Sequence, residues 1–237
     1  MFFRPLPALT IASVLAFVLL VGLGAWQLER LHWKLDLIAR ADANLHAEPL
    51  SLETRTPDHV AANEYRRVAG EGIFDNAKEA YVFGTDEAGD AVYHVVVPFR
   101  LGDGRVFLVD RGVVPKEKLD PATRRAGQPG GVSRVTGVWR TPDPPGTFTP
   151  KPDPKQRIWY ARDLGGIARA DGVTLAAPVI VEADATPNPG GWPKGGQTVV
   201  NFRNDHLQYA ITWFGLAAVL AGVYIAYHVS AGRLGFR

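Results

Sequence analysis

The sequence contains no cysteine. Disulfides, thiolate nucleophiles and cysteine-ligated zinc or iron–sulfur centres are therefore excluded. The absence does not identify a compartment, because periplasmic proteins without disulfides are common. An excess of one charge is also missing. The 26 Lys and Arg residues against 24 Asp and Glu leave a net charge of +2 over 237 residues, and no compact basic block occurs. No nucleic-acid partner is expected from such a balance. The chain further lacks G-x-S-x-G, H-E-x-x-H, G-x-x-x-x-G-K, and a G-x-G-x-x-G following a strand. Its acids and histidines are scattered. Nothing supports a membrane-anchored hydrolase, and a non-enzymatic protein is the expectation.

What is present is two long runs without charge. Leu6–Trp26 reads LPALTIASVLAFVLLVGLGAW, and Ala210–Tyr227 reads AITWFGLAAVLAGVYIAY. A bilayer core needs ~20 apolar residues at about 1.5 Å each, so residues 6–26 and 207–228 are expected to be transmembrane helices. The competing reading of the first run is a cleaved signal peptide. Its apolar core is long for that, and Leu23 would occupy the −3 position of a cut after Ala25, whereas a cut after Gly24 suits the rule better. Trp26 and Trp213 are expected at one interface, Tyr224 and Tyr227 at the other. Arg4 precedes the first span, and Arg233 and Arg237 follow the second, which puts both termini in the cytoplasm. Arg30, Lys34 and Arg40 argue the opposite way, but long domains translocate largely regardless of charge. With no Arg- and Ser-rich leader, the expected location is a bacterial inner membrane, multi-pass, with the large domain periplasmic.

The helical pattern does not stop at Trp26. Leu28, Leu31, Leu35 and Ile38 recur at three- and four-residue spacing among charged neighbours, so residues 27–48 read as an amphipathic extension closed by Pro49. Arg55–Asn63 reads as loop. Roughly 180 residues separate the spans, an ordinary size for one domain. Within them, residues 60–200 turn to a period of two. Tyr65–Phe74, Glu79–Gly84, Val92–Arg100, Arg105–Val114, Ser133–Arg140, Arg157–Asp163 and Ala177–Asp184 read as strands. Gly102-Asp103-Gly104 marks a hairpin, and DLGGIARADG a short helix. The fold class expected is a membrane protein in which two transmembrane helices flank a mainly antiparallel β domain, barrel- or sandwich-like.

Candidate chemistry is sparse. His94 lies in an apolar strand, where a histidine satisfied by neighbouring backbone is the plain reading. His32, His46 and His59 have polar surroundings and read as surface residues. Asp110–Pro115, DRGVVP, breaks a buried-looking strand, and a Gly-assisted bulge with Asp110 and Arg111 on opposite faces explains it. Trp26, Arg30 and Trp33 share a helical face as an interfacial anchor. Gln27 at the membrane edge needs a polar partner, and the second span is where one is expected. On that span His206, Tyr209, Ala210 and Trp213 fall on one face at about 3.6 residues per turn. Two readings stand side by side: an interfacial histidine in an aromatic belt, or an imidazole ligand to haem iron with aromatic neighbours against the macrocycle. His228 cannot complete that site, lying ~33 Å further along the helix.

Taken in order, GAWQLERLHWK, then YHVVVPFRL followed by VFLVDRGVVP, then NDHLQYAITWF resemble the surfeit locus protein one family over nearly the whole chain. The family pattern at the second place is Asn-Arg-Gly-Trp. This chain keeps Arg111 and Gly112 but has Asp110 and Val113 at the flanks. The resemblance implies a non-enzymatic assembly factor for haem–copper terminal oxidases, chiefly cytochrome c oxidase. It implies that haem a is bound and placed in oxidase subunit I, with His206 as iron ligand and Tyr209 and Trp213 packing beside it. Oxidase subunit I, haem a synthase and the lipid bilayer are the implied partners. Trp26, Gln27, Arg30, Arg111 and Gly112 are matching motif positions without an assigned role. A scaffold that binds oxidase subunits without holding haem is the alternative.

Overall fold

The computed structural model describes residues 2–54, 64–86, 88–142, 145–198 and 202–235. The expected loop Arg55–Asn63, and His59 within it, lie outside the described residues. The chain divides into two units, Met1–Arg40 with Asn201–Arg237, and Ala41–Val200.

The first unit is a helical hairpin. Helix α1 runs Pro7–His46 and helix α3 runs His206–Ser230. Both contain stretches long and apolar enough to cross a membrane. Proline at the first position suits a helix start because its missing N–H would be unsatisfied there anyway, and the next proline, Pro49, lies beyond the end. No breaker intervenes, so the spanning run and the amphipathic extension form one helix. Forty residues give a length of about 60 Å, twice a bilayer's hydrocarbon core. The two helices are antiparallel. The Thr10 and Tyr224 hydroxyls lie 2.6 Å apart, and a methyl group added at Gly24 would come within 2.7 Å of the Phe214 ring. Ala210 and Ala217 are buried, while Ile11, Leu15, Leu19, Ile211, Val219 and Val223 point outward. Small residues at the seam and large ones outside are what close helix packing in lipid requires. Short strands at the chain ends, β1 (Phe2–Phe3) and β10 (Leu234–Gly235), pair antiparallel.

The second unit is a β domain. Its strands are β2 (Leu50–Ser51), β3 (Arg67–Phe74), β4 (Ala80–Thr85), β5 (Ala91–Leu101), β6 (Val106–Pro115), β7 (Val132–Arg140), β8 (Ile158–Trp159) and β9 (Ile180–Ala183). Strand order is β2-β3-β7-β9-β6-β5-β4-β8, with a further β3–β5 pairing. That extra pairing, Gly72–Phe74 against Phe99–Leu101, closes β3, β7, β9, β6 and β5 into a barrel. Of the two expected architectures, barrel and sandwich, it is the barrel that forms. The ladders are mostly antiparallel, with β2–β3, β4–β8 and β6–β9 parallel.

Period-two alternation fills the barrel. Val95, Val97, Phe99, Phe107, Val109, Val135, Trp139 and Val181 meet inside. The other face of β4, β5, β6 and β9 offers Ala80, Val82, Val96, Leu108 and Ile180, which are covered by Leu164 and Ile167 of helix α2 (Leu164–Asp171). Strand β6 is thus buried on both faces, which is why it reads as a continuous apolar run. The Asp163 carboxylate accepts from the Gly166 N–H at 2.8 Å to start α2, and Gly172, in the left-handed conformation at φ 63°, ends it. One expected strand is largely replaced. Of Arg157–Asp163 only Ile158 and Trp159 pair, because Arg157 sits at φ 57° and Asp163 is committed to capping α2.

Candidate functional site

In the helical unit, the geometry is centred on one contact. His206 is the first residue of α3, half-buried, and its Nδ1 lies 2.7 Å from the Gln27 Oε1 of α1. An amide oxygen only accepts, so Nδ1 carries the proton and donates. In the neutral ring the opposite nitrogen, Nε2, then carries the lone pair, and among the described residues no hydrogen bond occupies it. Gln27 is only 9% exposed. Its expected partner on the second helix is this histidine. Arg203 pairs with Asp205 just before the helix.

The neighbours are less gathered than helical spacing suggested. Ala210 turns inward and is buried, whereas Tyr209 is 52% exposed and Trp213 half-buried. No ring contact joins either aromatic to His206 among the described residues. Trp26 is exposed, and Arg30 stacks its guanidinium 4.4 Å from the centre of the Trp33 ring. His228 is fully buried. Its Nδ1 donates to the Tyr224 carbonyl at 2.9 Å, and Phe3, Tyr224 and Tyr227 surround the ring. His32 and His46 bond back to their own helix, at Leu28 and Asp42.

In the β unit the Asp110–Val113 segment is a bulge. His94 faces Val113 and Val96 faces Asp110, so Arg111 and Gly112 together oppose Val95. The extra residue sends Asp110 and Arg111 to different sides. Asp110 is buried. Its Oδ2 lies 2.8 Å from His94 Nδ1 and 3.2 Å from Arg162 Nη2, and its Oδ1 accepts from the Gly112 N–H at 3.0 Å. Burial pushes its carboxyl up, but His94, Arg162 and that N–H outweigh burial and hold it below the ordinary aspartate range. The plain expectation for His94, a partner in neighbouring backbone, is thereby corrected. The bulge brings a carboxylate within reach, and a charged acceptor binds the imidazole more strongly than a carbonyl does.

Arg111 extends the inward row of Phe107 and Val109. It stacks 4.5 Å from the Phe74 ring centre and donates from Nη2 to Asn188 Oδ1 at 2.8 Å. Close by, Glu79 and Arg124 form a two-pronged pair at 3.0 and 2.6 Å, with the Tyr81 hydroxyl donating to the same carboxylate at 3.1 Å. Sequence reasoning missed Glu79, Arg124, Asn188 and Arg162. No local signal marks them, since their partners are 45 to 77 residues away.

The order of these features matches a known protein family. A family model described as "SURF1 family" matches residues 14–218. The chain belongs to the SURF1 family. It is 38% identical over 228 residues to "Surfeit locus protein 1" of Homo sapiens, covering 87% of this chain and 75% of that protein. Against the Mus musculus protein of the same name, identity is 38% over 212 residues, 83% of this chain and 68% of the relative. A "SURF1-like protein" of Monosiga brevicollis is 38% identical over 234 residues, 93% of this chain and 88% of its own. The match spans the helical hairpin and the barrel together, so Gln27, His206 and the Arg111-Gly112 bulge all fall inside the family region.

Proposed function

We propose that this protein is a non-enzymatic, membrane-bound assembly factor for haem–copper terminal oxidases, chiefly cytochrome c oxidase. It takes haem a as cargo, with haem a synthase as donor and oxidase subunit I as acceptor. Family membership supports the assembly role. The observation that carries the haem reading is the Gln27–His206 hydrogen bond. A histidine that ligates a metal commonly donates its other N–H to an oxygen, which fixes the tautomer and ring orientation and raises the basicity of the ligating nitrogen. Gln27 does this for His206 and leaves Nε2 to bind iron. Exposed Tyr209 and half-buried Trp213 offer apolar area at the same helix end for the cargo's macrocycle.

The test is haem content and absorbance of protein purified from cells that make haem a. His206→Ala should lose the cargo and its axial signature. Gln27→Leu should bind about 10- to 100-fold more weakly, the usual cost of losing a hydrogen bond behind a metal ligand. His228→Ala should keep the wild-type spectrum, because its ring is fully buried among Phe3, Tyr224 and Tyr227 at the other end of α3. Equal occupancy and spectrum in His206→Ala would sink the ligand assignment. A haem-free wild type whose oxidase assembly tolerates His206→Ala would establish the scaffold reading instead.

The same proposal places both spans in a bacterial inner membrane, termini cytoplasmic and barrel periplasmic. Pairing of β1 with β10 supports a topology in which both tails share a side, and the basic tails favour the cytoplasm. With no native cysteine, single cysteines report cleanly. Those at Asn76 and Asp153 should react with an impermeant thiol reagent from the periplasmic side, and one at Ser230 should not. Labelling at Ser230 alone reverses the orientation.

A further inference from the structure

Arg111 carries a charge that the fold does not use up. Its side chain is 3% exposed, and Nη1 is buried with no hydrogen-bond partner. Among the described residues no carboxylate pairs with it. The nearby Glu79 is already held by both prongs of Arg124. Burial lowers the guanidinium's proton affinity to about 10, partly opposed by Glu79, so it is still charged at neutral pH. Two buried arginines therefore share one buried carboxylate.

This arginine lines a cavity of about 490 Å³. The other walls include Phe74, Val135, Pro187, Pro189 and Asn188, and Arg134 stands at the same cavity. Among the described residues, Asp184 is the one acidic residue lining it, and its Oδ1 accepts from the Thr186 N–H at 3.0 Å. The volume falls in the range that holds small organic ligands, about 300–1,000 Å³. Asn188 holds one edge of the guanidinium and Phe74 its face, which leaves Nη1 as a fixed, desolvated donor. Such a donor is best matched by a carboxylate. The apolar walls suit an apolar body behind it. A phosphate dianion would need more donors than this wall supplies.

We propose that the cavity between β3, β7 and the 184–189 segment binds a small monocarboxylic acid with an apolar body, its carboxylate on Arg111. The site stands independently of the reading of His206.

The probe is 4-fluorobenzoate, followed by fluorine NMR on the full chain in lipid nanodiscs. Unlabelled benzoate, benzamide and inorganic phosphate serve as competitors. Benzoate should displace the probe at least tenfold better than the isosteric, uncharged benzamide. Arg111→Gln should weaken binding at least tenfold. Ser133→Trp, which fills the cavity from β7 without altering Arg111, should abolish it, so the proposal stays testable if Arg111→Gln does not fold. Equal competition by benzamide would reduce the cavity to a general apolar pocket and overturn the proposal. Stronger competition by phosphate, no binding by the wild type, or undiminished binding in Ser133→Trp would overturn it as well.

Discussion

Gly112→Ala should lower the thermal unfolding midpoint of the barrel by roughly 6–20 °C. Gly112 has φ 115°, and a methyl group there would lie 2.0 Å from the Lys194 carbonyl oxygen and 2.5 Å from the Gly195 nitrogen. Both obstacles are backbone, which cannot swing aside as a side chain does. The Val113–Lys194 pairing, with bonds of 2.9 and 3.0 Å, would have to open. Backbone strain of ~1–3 kcal/mol adds to two lost hydrogen bonds at ~1 kcal/mol each, for a total of roughly 3–5 kcal/mol. At ~2–4 °C per kcal/mol for a domain of this size, the shift is readily measured by calorimetry in nanodiscs. Gly131→Ala is the control, since nothing lies within 4 Å of its added methyl. A Gly112→Ala midpoint within about 2 °C of wild type, against that ~6–20 °C expectation, would refute the close-approach argument. The segment held down over Gly112 carries Asn188, the partner of Arg111, so Gly112 also sets the shape of the cavity.

The second large effect is expected at Glu79. Its side chain and that of Arg124 are 2% and 1% exposed, and Arg124 also donates from Nε to the Lys118 carbonyl at 2.8 Å. Glu79→Ala leaves two arginines buried with no carboxylate between them. Breaking a buried pair from one side typically costs about 3–5 kcal/mol, a large part of the ~5–15 kcal/mol that holds a domain together. The barrel should lose thermal stability by an amount similar to Gly112→Ala, or fail to accumulate. Replacing both partners, Glu79→Leu with Arg124→Met, should recover most of the loss, because an apolar pair of similar volume avoids desolvating either charge. The comparison is three unfolding curves under one set of conditions. A double variant as unstable as Glu79→Ala alone would contradict an electrostatic origin.

The parts of this molecule that could be read from the sequence are those set by local period and composition. The uncharged runs, the leucine spacing beyond Trp26, the Gly-Asp-Gly hairpin and the alternating strands each declare themselves within a dozen residues. Gln27 was also legible, because a polar amide at a membrane edge demands a partner. Barrel closure was not legible, since it depends on β3 pairing with both β7 and β5, and alternation in β3 is the same in a barrel or a sandwich. The charged core escaped for a related reason. Glu79 and Arg124 are ordinary surface types, and only tertiary structure brings them together across 45 residues. Asp110 is a second case of the same kind. Only the bulge gives its buried carboxylate His94 and Arg162 as partners. Tyr209 was placed on the His206 face by spacing alone. At the first turn of a helix a small rotation separates inward from outward, and here Ala210 took the inward position.

The Gln27–His206 bond joins residues 179 positions apart. A ribosome adding roughly 5–20 residues per second makes Gln27 about 10–35 s before His206. Throughout that interval the first span stands without its histidine, while the whole barrel sequence is still being made. The imidazole therefore arrives after every strand of the barrel. On the proposed function, a chain that has not yet reached His206 has no iron ligand to offer, so cargo loading waits for the second helix.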